Sequence, residues 1–183
     1  MTVTAFADIT LAHPLRLVLQ LPDGSLVDLT SPMDAGRACV STSVVRIEAP
    51  DLRVCSRKTA ALHAEAAERG DETSVLVDLE VVIDRDMCAA RKTLADLKRP
   101  VAPNTLRYVG TATGLAGLIA DIHTLQLTDG VTLMPLSQLA LDLILDEALP
   151  QLRTMGLDAV GNPLATVRQS QPSARTTGSQ EPA

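Results

Sequence analysis

Apolar positions along the chain fall into two rhythms. Short dense runs at 16–21 (RLVLQL), 43–48 (SVVRIE), 75–83 (VLVDLEVVI) and 131–134 (VTLM) are β-branched or alternate in polarity, which predicts strands. Between them, longer stretches rich in Ala, Leu, Lys, Arg and Glu predict helices over 52–69, 87–98, 112–125 and 138–153. The punctuation agrees. Pro22-Asp23-Gly24 turns the first strand towards a short second one, LVDLT, that ends near Thr30. Ser31 and Pro32 open a short helix over 33–40, with Ser31 as cap and Pro32 in the first turn. Gly70 ends the helix that begins at 52, Asp86 and Thr111 cap the next two, and Asp129-Gly130 turns the chain into the last strand.

Strands alternating with helices imply βαβ units and a parallel sheet wrapped by helices. The architecture is then either an open doubly wound sheet or a segment of an α/β barrel. Beyond Gly156 the rhythm stops and Ser, Thr, Gln, Pro and Gly dominate, which predicts one domain over 1–157 followed by a disordered tail over 158–183.

The strand faces favour the barrel. Side chains alternate along a strand, so Val75, Val77, Leu79, Val81 and Ile83 share one wholly apolar face, while Asp78 and Glu80 lie on the other with Leu76 and Val82. The strand before it repeats the pattern, with Val45 and Ile47 on one side and Val44, Arg46 and Glu48 on the other. Strands covered by helices on both faces usually read apolar throughout. Charges on one face of two successive strands suit a barrel, whose strands meet helices outside and a lumen inside. Arg46, Glu48, Asp78 and Glu80 are therefore lumen-facing candidates, with Arg46 placed to pair with Asp78 or Glu80. They form either a structural ion-pair layer or, through Glu48 and Glu80, a ligand site at the carboxyl ends of the strands.

Composition narrows the partners. Sixteen Lys plus Arg against twenty-two Asp plus Glu, with Phe6 and Tyr108 the two aromatics, leave neither a basic surplus for phosphates nor rings for bases to stack on. Nucleic-acid binding is excluded on that ground. No run reaches the roughly 20 apolar residues of a membrane span, and residues 1–10 lack the pattern of a secretory signal, so the expected location is cytoplasmic and off the membrane. Cys39, Cys55 and Cys88 have no C-x-x-C spacing and His13, His63 and His123 are far apart, so no metal site is proposed.

Five segments together resemble a known family. SVVRIEAPDL (43–52), SVLVDLEVVIDRD (74–86), LRYVGTATGLAGLIADIH (106–123), DGVTLMP (129–135) and LDLILDEALPQLR (141–153) look like the C-terminal part of luciferase-like flavin-dependent monooxygenases and oxidoreductases. The most telling combination is Tyr108-Val109-Gly110-Thr111, then a helix, then Asp129-Gly130-Val131.

The resemblance, clearest over 43–157, implies a partial (β/α) TIM-type barrel. It implies FMN, or alternatively the deazaflavin F420, as cofactor, and reduced-flavin activation of O2 towards a small organic substrate. It also assigns the flavin phosphate to Thr30 and Ser31, similar to the family's hydroxyl pair at a helix start, and to the Gly110-Thr111 helix start. No catalytic residue is assigned. A complete barrel takes about 250 residues, and the family's N-terminal barrel half has no counterpart in this sequence. A homo- or hetero-oligomeric partner completing the barrel and a flavin reductase are therefore expected. The alternative is a non-catalytic half-barrel, a truncated gene product or interaction module, that keeps the packing without flavin chemistry. Ala112-Thr113, standing where the family has Pro-Glu, motivates that alternative.

Overall fold

The computed structural model describes residues 15–29, 43–98 and 102–157. Within them are six strands and five α-helices, in an order that matches the expected elements except for one added strand and a last helix divided in two. These are β1 (Arg16–Gln20), β2 (Leu26–Asp28), β3 (Ser43–Ile47), α1 (Leu52–Arg69), β4 (Thr73–Ile83), α2 (Met87–Asp96), β5 (Leu106–Gly110), α3 (Ala112–Thr124), β6 (Gly130–Pro135), α4 (Gln138–Leu143) and α5 (Leu149–Thr154). The short helix expected over 33–40 and the tail lie outside the described residues.

Local chemistry accounts for the boundaries. Asp51 accepts the Val54 N–H at the start of α1, and Gly70 closes that helix at φ +71°, a left-handed conformation that glycine adopts without a Cβ penalty. Asp86, Thr111 and Ser137 cap α2, α3 and α4 in the same way. Between α4 and α5 the helix widens into one π-turn, Ile144–Ala148, which the sequence reading did not foresee. Pro150 explains it, because its ring would clash with the carbonyl of residue 146 in a regular α-helix and its nitrogen has no N–H to donate.

The strands form one mixed sheet in the order β2-β1-β6-β4-β3, with β5 also on β4. β2 is antiparallel to β1, so the hairpin at Pro22–Gly24 departs from the expected all-parallel sheet; the other pairings are parallel. β5 was not anticipated as a strand. β3 pairs with β4 residues 73–77 and β5 with 79–83, while β6 pairs with 76–81. The overlaps put β6 on one edge of β4 and make β3 and β5 follow each other along the opposite edge. Asp78 sits at their junction.

All helices that feed the core lie on one side. The odd-numbered β4 residues Val75 to Ile83 pack with Leu17, Leu19, Val131 and Leu133 against Leu115, Ile119, Ile122, Leu141, Ile144 and Leu152. Fully burying each such Leu, Ile or Val contributes about 1.5–3 kcal/mol. Close strand approach is bought at Gly130, where a Cβ would run into the Arg16 carbonyl oxygen and lie 2.6 Å from Leu76 Cδ2. The other side of the sheet holds the charged residues, and the result is an α/β half-barrel.

Candidate functional site

The register places the polar face in rows. Asp78 stands beside Thr132, which stands beside Val18, which stands beside Asp28; Glu80 stands beside Met134 and, on the other edge, Arg107. Arg46 reaches this face from β3. Its Nε donates to Asp78 Oδ1 at 2.8 Å and its Nη2 to Asp78 Oδ2 at 3.0 Å, a two-pronged pairing that fixes the plane of the guanidinium. The same Nη2 lies 3.1 Å from Gln20 Oε1, at the carboxyl end of β1, and 3.7 Å from Met134 Sδ, near the carboxyl end of β6.

Of the two partners expected for Arg46, the structure therefore selects Asp78. Glu80 is taken by a residue the sequence reading missed, Arg107, whose Nε donates to Glu80 Oε2 at 2.7 Å. Arg107 alternates with Leu106 and Tyr108 across LRYVG, a signal too short to be recognised as a strand on its own. The two ion pairs flank the junction on β4, one tying β3 and the other β5 to the shared edge. The Glu80 and Arg107 side chains are 14% and 9% exposed, so neither charge is left in bulk water without its partner. Glu48 lies one residue past β3 and is exposed, and its backbone oxygen accepts from Lys58 Nζ at 2.8 Å.

Two polar groups on this face are less fully engaged. Thr132, beside Asp78 in the middle of the sheet, is fully buried, and its hydroxyl, like that of Thr59 on α1, has no hydrogen-bond partner among the described residues. Nη1 of Arg46 has no partner among the described residues, and about a third of the Arg46 side chain is accessible (34%).

The Gly110-Thr111 helix start follows the carboxyl end of β5. Thr111 Oγ1 accepts the Gly114 N–H at 3.2 Å, and Tyr108 Oη donates to the Thr111 carbonyl at 3.3 Å. Gly110 is needed for space: a Cβ there would lie 2.5 Å from Tyr108 Oη, and a Cβ at Gly114 would also collide with that oxygen. With the Thr111 hydroxyl spent on the cap, an anion here would meet the amides of Ala112 and Thr113. Thr30 and Ser31 lie outside the described residues. Among the described residues, no group of three or more His, Cys, Asp and Glu gathers as a metal site, and no helix is long and apolar enough to cross a membrane.

The α/β half-barrel, mixed in its strand directions and with its core-feeding helices on one side, shares its fold with part of several solved structures. Among solved structures, it is similar to riboflavin lyase (RcaE), determined with modified FMN and riboflavin, at TM-score 0.56 and 16% identity over 66% of this chain. It is also similar to EDTA monooxygenase (EmoA) from Chelativorans sp. BNC1, at TM-score 0.55 and 16% identity over 77% of the chain. DmoA from Hyphomicrobium sulfonivorans gives TM-score 0.54 and 14% identity over 66%. The chain spans 40%, 47% and 40% of these three structures, less than half of each. No protein-family model and no curated protein matches the sequence.

Proposed function

We propose that the chain contributes part of the barrel of a flavin-dependent oxidoreductase or monooxygenase acting on a small organic substrate. The observation that supports this best is the polar face towards the carboxyl ends of the strands: Gln20, Arg46 and Met134 meet from three strands, on the side where α/β barrels hold their ligands. Bound flavin supplies the redox chemistry with O2. The chain's own part is positional. Asp78 holds the Arg46 guanidinium plane, Arg46 offers hydrogen bonds to the ring edge, and Leu76 and Val82, both buried on this face, exclude water beside it. The phosphate of FMN falls to Thr30 and Ser31 and to the start of α3 at Gly110-Thr111; F420 is the alternative cofactor.

The remaining barrel wall comes from further chain or from a partner subunit, and a separate reductase supplies reduced flavin. The test is purification of the chain, alone and with a candidate barrel-completing partner, followed by absorbance and binding measurements with FMN and F420. Copurifying or saturably binding flavin is expected. A protein that neither retains nor binds either cofactor in both preparations defeats the proposal.

A second reading, a non-catalytic half-barrel, is favoured by one observation. The charges on the polar face satisfy each other, as a structural layer would. It predicts the same fold and assembly with no flavin bound under any of these conditions.

A further inference from the structure

The thioether of Met134, near the carboxyl end of β6, lies 3.7 Å from Arg46 Nη2. That nitrogen carries two hydrogens, and three acceptors surround it: Asp78 Oδ2 at 3.0 Å, Gln20 Oε1 at 3.1 Å and the sulfur. A thioether is the weakest acceptor of the three, so it shares a donor that the two oxygens hold more tightly. Arg46 Nη1 has no partner among the described residues, and the side chain is partly open to solvent. A polarisable sulfur therefore sits beside a guanidinium that still has hydrogens to donate.

A hydroperoxide is a molecule that uses both groups. With one oxygen hydrogen-bonded to Nη1, it presents the other to the sulfur. The sulfur lone pair attacks that second oxygen, the S–O bond forms as the O–O bond breaks, and the first oxygen departs with the bonding pair, its developing negative charge met by the guanidinium. With hydrogen peroxide, the proton on the transferred oxygen passes to the departing hydroxide, so the products are sulfoxide and water. Sulfur loses two electrons and the peroxide gains them, while Arg46 keeps all its protons. A peroxide held on one side of the sulfur delivers its oxygen to that side, which sets the configuration of the new sulfur centre.

We propose that Met134 is an oxidation site, converted by hydroperoxides to one sulfoxide epimer under the direction of Arg46, and that the sulfoxide oxygen then accepts a hydrogen bond from that guanidinium. The chemistry is independent of whether the face holds a flavin. Asp78 is a positioning residue here, since it acts through Arg46.

The full chain is treated with dilute hydrogen peroxide, and oxidation of Met87, Met134 and Met155 is followed by peptide mass. Met87 and Met155 are 42% and 45% exposed and Met134 is half-buried, so access alone puts Met134 last. Direction by Arg46 reverses that order. Met134 should react about threefold faster than either, and Arg46→Lys, with fewer donors, should abolish the lead while Met87 and Met155 keep their rates. A reductase specific for one sulfoxide epimer, applied to the digested native chain, should reduce nearly all of the Met134 sulfoxide but only about half of that at Met87 and Met155. That readout needs no variant, so it decides the matter even where Arg46→Lys folds poorly. In 15N-labelled chain the Arg46 Nε–H signal, assigned by its loss in Arg46→Lys, should shift on oxidation. Met134 reacting no faster than the exposed methionines, both epimers in equal amounts, or an unmoved Arg46 signal overturns the proposal.

Discussion

Arg107 and Glu80 bear most directly on whether the polar face is held by its charges. Both are nearly shielded from water, and removing Arg107 takes from the Glu80 carboxylate the counter-charge it is paired with. Arg107→Met should destabilise the fold by about 3–5 kcal/mol, whereas Arg107→Met with Glu80→Leu should recover most of that loss, because two matched apolar groups need no counter-charge. Urea denaturation of the single and double variants checks this. Two other side chains make simpler reporters. Burial raises the Cys55 thiol above its usual range, while Cys88 is exposed on α2, so alkylation mapped by peptide mass should modify Cys88 well before Cys55. Burial also lowers the His123 imidazolium below the usual value of about 6.5. The unfolded chain therefore takes up that proton first as pH falls. Stability from this group is complete above about pH 6.5 and declines below it. The melting temperature of the native chain should drop more between pH 7 and pH 5.5 than that of His123→Gln.

At the scale of elements, the contact between β5 and α3 turns on space for one ring. Gly110→Ala puts a methyl against Tyr108 Oη and should cost about 1–3 kcal/mol, and Tyr108→Leu in the same chain should return part of it, as read by denaturation midpoints. This contact also marks how far the sequence could be read. α1 was legible to the residue, because Ala-rich periodicity and a terminal glycine are local signals, and so was the apolar face of β4. The Arg46–Asp78 pair followed from alternation on neighbouring strands. What escaped depends on distant geometry. β5 is five residues long and declares itself only by pairing with β4, so Arg107 had no strand to be placed on. The antiparallel β2 and the end-to-end sharing of one β4 edge by β3 and β5 are likewise set by which strands meet, which no local pattern records. The π-turn depends on how Pro150 is accommodated inside a helix that the core already requires. Thr132 looked like any β-branched strand residue, and its burial without a partner among the described residues, a state it shares with Thr59, shows only in three dimensions.

For the whole molecule, the two ends of the sheet differ in how their polar groups are engaged. At the amino end of the strands, Asp129 Oδ2 accepts the Val75 N–H at 2.7 Å and lies 2.7 Å from His63 Nε2, joining α1, β4 and the approach to β6. That arrangement locks elements together. Towards the carboxyl end, the Arg46 guanidinium, oriented by Asp78, is partly open to solvent beside Gln20 and Met134. The central claim is that this carboxyl end is the ligand face, and backbone 15N–1H NMR of the full chain titrated with FMN tests it most directly. The account predicts saturable shifts gathered at Gln20, Arg46, Thr132, Met134 and the Gly110–Gly114 segment, with His63 and Asp129 unmoved. Shifts gathered around His63 and Asp129, shifts spread evenly over the sheet, or no saturable response would contradict it.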